Sequence, residues 1–582
     1  MMRPSLARTN TLLWWIACLL VVAVYLISVP RLWQCEGADE VEYLGLAHSM
    51  VRGFGYTLYG QPYVVYPPLY PFVLSLILGH GTGFWSLLYT VNALCGAVGL
   101  IVSATWLRLR FGRVGRWAGW LALASYFAWS FSTRFLLSEA LFFVLSVSVL
   151  ILAWRVLCGE RRPGWMVALV GFGSLLCAMT RFGAVALTLA ICLSAFLKWI
   201  LTRSRAALSL LITVVVLGGG FAVAWEIRAQ HVAPQAGESY ARWAKKIMGV
   251  SSETAGMVAR NAGEGAVVRK GWPGRALELG GRYGQYVASN VRSPSAAKPL
   301  ALFLWLVFLT GLVAHLKQCL WSPLGWYTAI SLLIISLTSW ISSYSRYLYP
   351  LTPFLFLFLL MGARLWWKRL IGGANRPLRA FLVLCGLAGL AWSATHGVDA
   401  DVAAMEGRYM SATAILSAAA YIGLILVGIW PTPLRAVSLS GRMTRLGMTV
   451  IVILFACQTA VILAARCRLT EQNQTLRNRN LLGIVDAGAW LRDNTDPQAV
   501  CISSLPRLTA FLSDRQNVSP GYTTEGGLDS GKADYVVQIG RLNDVPAFVP
   551  EEEERLVTAL PGSPVVPVFA SGDAAVYRIA KP

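Results

Sequence analysis

Residues 164–197 read GWMVALVGFGSLLCAMTRFGAVALTLAICLSAFL, an apolar run broken by charge once, at Arg181. Both flanks are basic: Arg155, Arg161 and Arg162 precede the run, and Lys198, Arg203 and Arg205 follow it. Clusters of Lys and Arg in short loops mark the cytoplasmic side of a membrane protein. Two flanks on one side require an even number of crossings, and each crossing needs roughly 17–25 mostly apolar residues. Two short helices joined by an outward turn at Arg181 satisfy both demands, whereas one helix does not. Arg181 therefore reads as a residue of the outer surface.

The same logic extends along the chain. Of its 582 residues 56% are hydrophobic and only 13% charged, with a mean hydropathy of +0.58. Soluble domains carry about 25% charged residues, so a soluble fold is excluded. Thirteen spans are predicted, at 11–29, 84–107, 117–133, 140–154, 164–180, 182–197, 206–227, 300–316, 322–343, 347–363, 380–396, 409–430 and 446–465. The loops on the side of the N-terminus hold twenty-one Lys and Arg against one acidic residue, Glu160. This predicts a multi-pass cell (inner) membrane protein with a cytoplasmic N-terminus. The first span has no convincing small-residue cleavage site and reads as uncleaved. The net charge of +22 is spread over these loops, with no basic tail, which argues against nucleic-acid binding.

An odd number of spans leaves three pieces on the outer side: loops 30–83 and 228–299 and the tail 466–582. The fold class is thus an all-α polytopic membrane domain, 1–465, with a small α/β extracytoplasmic C-terminal domain, 466–582. In the tail, Asp486–Arg492 reads as an amphipathic helix. Ala499–Ser503, Tyr535–Ile539 and Ala575–Ile579 read as strands. The 11 cysteines are scattered without metal-ligand spacing and read as small hydrophobes.

Chemistry gathers at the outer ends of the spans. Span interiors carry essentially no Asp, Glu, Lys or Arg apart from residues near the ends such as Glu226, which counts against ion pumps and many transporters. The first outer loop holds Glu36, Asp39, Glu40 and Glu42, then Tyr43, a Gly53-Phe54-Gly55-Tyr56 turn, and Tyr66-Pro67-Pro68-Leu69-Tyr70-Pro71. Val41, Leu44, Ala47, His48 and Val51 recur at helical spacing, predicting a helix along the membrane surface with Asp39 and Glu40 at its N-terminus. Each candidate has a structural alternative. The acidic stretch could merely be solvated, Arg181 could mark a turn, and Glu139 could pair with Arg134. Arg346 could snorkel, and the tyrosines could belong to an interfacial belt.

These motifs together resemble the GT-C membrane glycosyltransferases. The nearest branch holds the protein O-mannosyltransferases and the lipid A aminoarabinose transferase (glycosyltransferase family 39-like). The likeness rests on Asp39-Glu40-x-x-Tyr43-x-x-x-Ala47, the Tyr-Pro-Pro segment, Arg134-Phe135-x-x-Ser138-Glu139, Arg181-Phe182-Gly183 and Ser345-Arg346-Tyr347-Leu348-Tyr349-Pro350. It implies transfer of a sugar, with inversion, from a polyprenyl-phosphate donor to a lipid, glycan or protein acceptor on the outer face. It also implies roles. Asp39 is the general base, and Glu139 a second carboxylate for base or acceptor positioning. Arg181, Arg346 and Arg134 face the leaving phosphate, and Glu40, Tyr43, Tyr66 and Tyr347 contribute to substrate binding. No cofactor is implied; a divalent metal on the carboxylates is possible chemistry but disfavoured in this branch. The chain departs from the aminoarabinose pattern at Tyr66, where that pattern places a lysine facing the donor phosphate. Two rivals come from other classes, a transporter or flippase of a lipid-linked substrate and a catalytically silent scaffold.

Overall fold

Apolar runs of this length can satisfy their backbone in lipid only as helices, and helices dominate the chain. The computed structural model describes residues 4–29, 38–58, 61–79, 85–123, 132–133, 136–159, 164–232, 298–337, 347–371, 484–496, 499–503, 512–513, 516–518, 534–539, 565–571 and 574–579. The helices are α1 (Pro4–Ile27), α2 (Ala38–Val51), α3 (Leu69–Leu78), α4 (Trp85–Arg110), α5 (Gly112–Leu123), α6 (Ser138–Cys158), α7 (Gly164–Thr180), α8 (Ala184–Thr202), α9 (Arg205–Val214) and α10 (Gly220–Val232). A π-turn at Val215–Gly219 joins α9 to α10 without a break. After them come α11 (Lys298–Gln318), α12 (Pro323–Leu337) and α13 (Thr352–Ile371), the last entered through a 3-10 turn at Tyr349–Leu351.

Among the described residues, five helices are long and apolar enough to cross a membrane: Ser86–Arg110, Ser138–Cys158, Ala184–Thr202, Arg205–Val232 and Tyr349–Arg369. The protein is a multi-pass membrane protein. The expected spans from 11–29 through 347–363 each begin or fall on a described helix, those at 117–133 and 322–343 only in part, since 124–131 and 338–343 lie outside the described residues. Those at 380–396, 409–430 and 446–465 lie outside the described residues, as does most of the loop 228–299. The turn at 181–183 does separate two helices, with the Arg181 amide donating to the Cys177 carbonyl at 3.1 Å.

The bundle core is built from small residues that let backbones approach. A Cβ on Gly311 of α11 would collide with the Phe358 carbonyl of α13, and one on Gly362 with the Val307 carbonyl. Around that crossing pack Phe308, Phe354, Leu357 and Phe358, all buried.

The loop after α1 departs from expectation in one respect. The predicted surface helix exists as α2, but it does not bury one face only. Glu40, Val41, Glu42, Tyr43, Leu44, Leu46 and Ala47 are all buried. The physical reason is what covers it. The short hairpin of β1 (Thr57–Leu58) and β2 (Gln61–Pro62) folds back over it, and α3 packs along it, a helix the sequence reading leaves within the loop. Pro68 caps the start of α3 with φ −82°, a value its ring imposes.

The C-terminal part carries a helix at 484–494 and a five-stranded sheet. Its strands are β3 (Val500–Ser503), β4 (Gln516–Val518), β5 (Tyr535–Ile539), β6 (Val565–Ser571) and β7 (Ala574–Ile579), in the order β4-β3-β5-β7-β6. The first three run parallel, and β7 and β6 are antiparallel. Ile484, Ala487 and Val537 share one buried cluster with Val41 and Leu44 of α2 and Tyr89 of α4.

Candidate functional site

The N-termini of α2 and α6 place the carboxylates. Asp39 and Glu40 lie in the first turn of α2, and Glu139 in the first turn of α6. A helix N-terminus carries partial positive charge, which favours the ionised acid. The two ends are tied together directly, because the Tyr43 hydroxyl and the Ser138 hydroxyl are hydrogen-bonded at 2.9 Å. Two acidic helix starts are thereby brought side by side.

The four carboxylates have different surroundings. Glu40 is fully buried and accepts a hydrogen bond from the Tyr89 hydroxyl of α4 at 2.8 Å. Glu42 is buried and accepts from Tyr63 at 2.6 Å. Glu139 is paired with Arg181, Oε1 to Nη1 at 2.6 Å, with side-chain exposures of 1% and 11%. Asp39 is half-buried, and its charge acts on Tyr66.

Tyr66 stands in the middle of this group. Its ring lies 4.5 Å from that of Tyr43, tilted by 32°. Burial holds its hydroxyl far above the usual phenol range, and Tyr43, Glu42 and Asp39 push the same way. The position is therefore neutral. Around it run further rings. Tyr43 meets Tyr70 edge to face at 4.9 Å, and Tyr63 lies 5.9 Å from Tyr66. The wall is pinned to α10: Trp225 donates to the Val64 carbonyl at 2.9 Å and Arg228 to the Tyr63 carbonyl at 2.9 Å.

Arg181 faces two ways. Besides Glu139, its guanidinium sits 4.8 Å from the centre of the Tyr347 ring. Arg181 and Tyr347 border a small pocket of about 40 Å³, whose wall is mostly apolar and includes Phe142, Ala186, Ile334 and Ile335. Tyr327 and Ser331 add hydroxyls to it. A cation at the edge of an apolar pocket suits an amphiphile with an anionic head.

Of the residues singled out in the sequence, Asp39, Glu40, Tyr43 and Tyr66 gather around α2. Glu139, Arg181 and Tyr347 form one contact group, and the Tyr43–Ser138 bond joins the two. Arg134 and Arg346 lie outside the described residues. No sequence pattern singles out Tyr63 or Tyr89, whose partners are distant in the chain. Trp225 and Arg228 did carry a signal, being one helical turn apart where a span ends.

No family model matches the chain, and neither does any curated protein. Among solved structures it is similar to ArnT from Cupriavidus metallidurans in the apo state, with a TM-score of 0.48 and 16% identity over 98% of each chain. The same protein bound to undecaprenyl phosphate gives a TM-score of 0.47 and 15% identity, again over 98% of each. It is also similar to the archaeal oligosaccharyltransferase AglB from Archaeoglobus fulgidus, in complex with an inhibitory peptide and a dolichol-phosphate. There the TM-score is 0.44 and the identity 12%, over 98% of this chain and 74% of that one.

Proposed function

We propose that the protein is an inverting membrane glycosyltransferase that moves a sugar from a polyprenyl-phosphate donor to an acceptor on the outer side of the cell membrane. The observation that carries this reading is the Glu139–Arg181–Tyr347 group at the edge of the apolar pocket, joined through Ser138 and Tyr43 to the helix that bears Asp39. The apolar wall of the pocket suits contact with a polyprenyl chain, and Arg181 suits its phosphate. Arg346, one residue before Tyr347, is assigned to the same phosphate.

The chemistry needs few parts. An acceptor hydroxyl loses its proton to the Asp39 carboxylate as its oxygen attacks the anomeric carbon. The bond from that carbon to the phosphate oxygen breaks, and the electron pair leaves with polyprenyl phosphate. Attack opposite the leaving group inverts the anomeric centre. Developing phosphate charge is stabilised by the guanidinium groups. Glu40 and Glu42 are buried, whereas Asp39 is half-buried and open to an acceptor, so Asp39 is the better base of the first loop. The reading calls for no cofactor. Tyr66, neutral among carboxylates, suits a donor or acceptor sugar ring at that point more than a phosphate.

The test is transfer of radiolabelled sugar from a panel of polyprenyl-phosphate donors by the purified protein, with donor binding measured in parallel. Transfer that Asp39→Asn abolishes, and donor binding that Arg346→Ala weakens, support the reading. Donor translocation across reconstituted vesicles without transfer would replace it with a flippase.

A further inference from the structure

The proposed site uses one end of α6, Ser138–Cys158. The other end carries a separate group of reactive side chains. Cys158 is the last residue of α6, and Cys319 follows α11 directly. They are 161 residues apart in the chain, yet their sulfurs lie 3.8 Å apart. That is thiol–thiol contact, and a disulfide at about 2.05 Å needs an approach of only about 2 Å. Cys319 sits in the turn between α11 and α12, where rigid helix gives way to a short connection. Its amide donates to the His315 carbonyl at 2.9 Å, and its own carbonyl accepts from Ser322 at 3.0 Å. Both cysteines are partly exposed, unlike Cys18, Cys177 and Cys501, which are buried.

The surroundings favour a thiolate. Lys198 reaches over Trp321, with 5.8 Å from its ammonium to the ring centre, and the charges of Lys198 and Arg110 both act on Cys319. The hydrogen bond between the two thiols draws the Cys319 thiol down and pushes Cys158 up, and against the effect of burial Lys198 and Arg110, whose charges act on both thiols, and the Trp321 amide lower Cys319 further. A low-lying thiolate beside cations, touching a second thiol, has the parts of an attacking and a resolving cysteine.

We propose that Cys158 and Cys319 form a reactive dithiol that low-molecular-weight disulfides convert to an intramolecular disulfide, clasping α6 to the α11–α12 turn. The Cys319 thiolate attacks one sulfur of the small disulfide, forming a mixed disulfide and releasing one small thiolate. Cys158 then gives up its proton and attacks the Cys319 sulfur, releasing the second. Two electrons pass from the pair to the small disulfide, which leaves as two thiols. The clasp lies at the basic end of the bundle, with Arg110 and Lys198, and does not depend on the glycosyltransferase reading.

The experiment uses the full chain in detergent, treated with oxidised glutathione near neutral pH, quenched by alkylation and mapped by peptide mass. The Cys158–Cys319 link should be the main product and should be reversed by dithiothreitol. Cys158→Ser should stop at the Cys319–glutathione mixed disulfide. Cys319 should react roughly ten times faster than Cys95 or Cys192, given its thiolate character. A wild-type protein in which both thiols stay alkylatable would overturn the proposal. So would one in which the mixed disulfide persists while Cys158 remains free.

Discussion

Glu139 lies in the first turn of one helix and Arg181 follows the end of another, yet their side chains meet at 2.6 Å with almost no access to solvent. A buried pair contributes little net stability but is costly to break, because the partner left behind keeps an uncompensated charge. Glu139→Ala should cost about 3–5 kcal/mol, while the double variant Glu139→Ala/Arg181→Leu should recover much of the loss. Thermal unfolding of the detergent-purified protein measures both. A double variant whose loss equals the sum of the single losses would show that the two residues do not act as a pair.

Asp39→Asn should leave the protein folded and able to bind donor lipid, while transfer falls by about 10² to 10⁴, the usual worth of a general base. Near-normal turnover would move the role to Glu139. Poor expression would assign Asp39 a structural part instead.

Tyr63→Phe removes the hydroxyl that serves the Glu42 carboxylate. Losing a hydrogen bond to a charged group costs about 1.5–3 kcal/mol, so the melting temperature should drop. Glu42→Gln in the same background should soften the loss, since a neutral amide is cheaper to bury than a carboxylate. Equal stability of Tyr63→Phe and the parent protein would show that water replaces the tyrosine.

The crossing of α11 and α13 depends on Gly311. Gly311→Ala would drive a methyl group into the Phe358 carbonyl, a backbone atom that cannot swing aside. A destabilisation of about 1–3 kcal/mol is expected. Gly164→Ala, where the new methyl meets nothing within 4 Å, is the control and should be neutral. Similar melting curves for the two variants would mean that the helices separate at little cost.

The charge asymmetry of the loops predicts orientation. A membrane-impermeant maleimide should label Asp493→Cys in intact cells and Lys368→Cys only after permeabilisation. The opposite pattern would invert the topology and put the proposed site on the wrong side.

Much of the architecture was legible along the chain because lipid imposes a local rule. Each span must satisfy its own backbone, so length, hydropathy and flanking charge suffice, as at 164–197. The turn at Arg181 was readable for that reason, and the strand at Tyr535–Ile539 from its own run of apolar residues. The burial of α2 was not. Its helical spacing is plain, but Tyr89, Tyr63 and α3 cover it from remote positions, and no periodicity encodes a partner 49 residues away.

By itself, then, the sequence determined that the chain is embedded in a membrane, where its turns fall, and that Asp39, Glu139 and Arg181 cluster at span ends. Only the tertiary structure decided that Glu139 pairs with Arg181, that Ser138 meets Tyr43, and that Tyr347 closes the pocket edge. The reason is physical. Hydropathy and charge act on each segment separately, whereas pairing depends on how helices already formed pack together, and that packing is set by side-chain shape summed over the whole bundle.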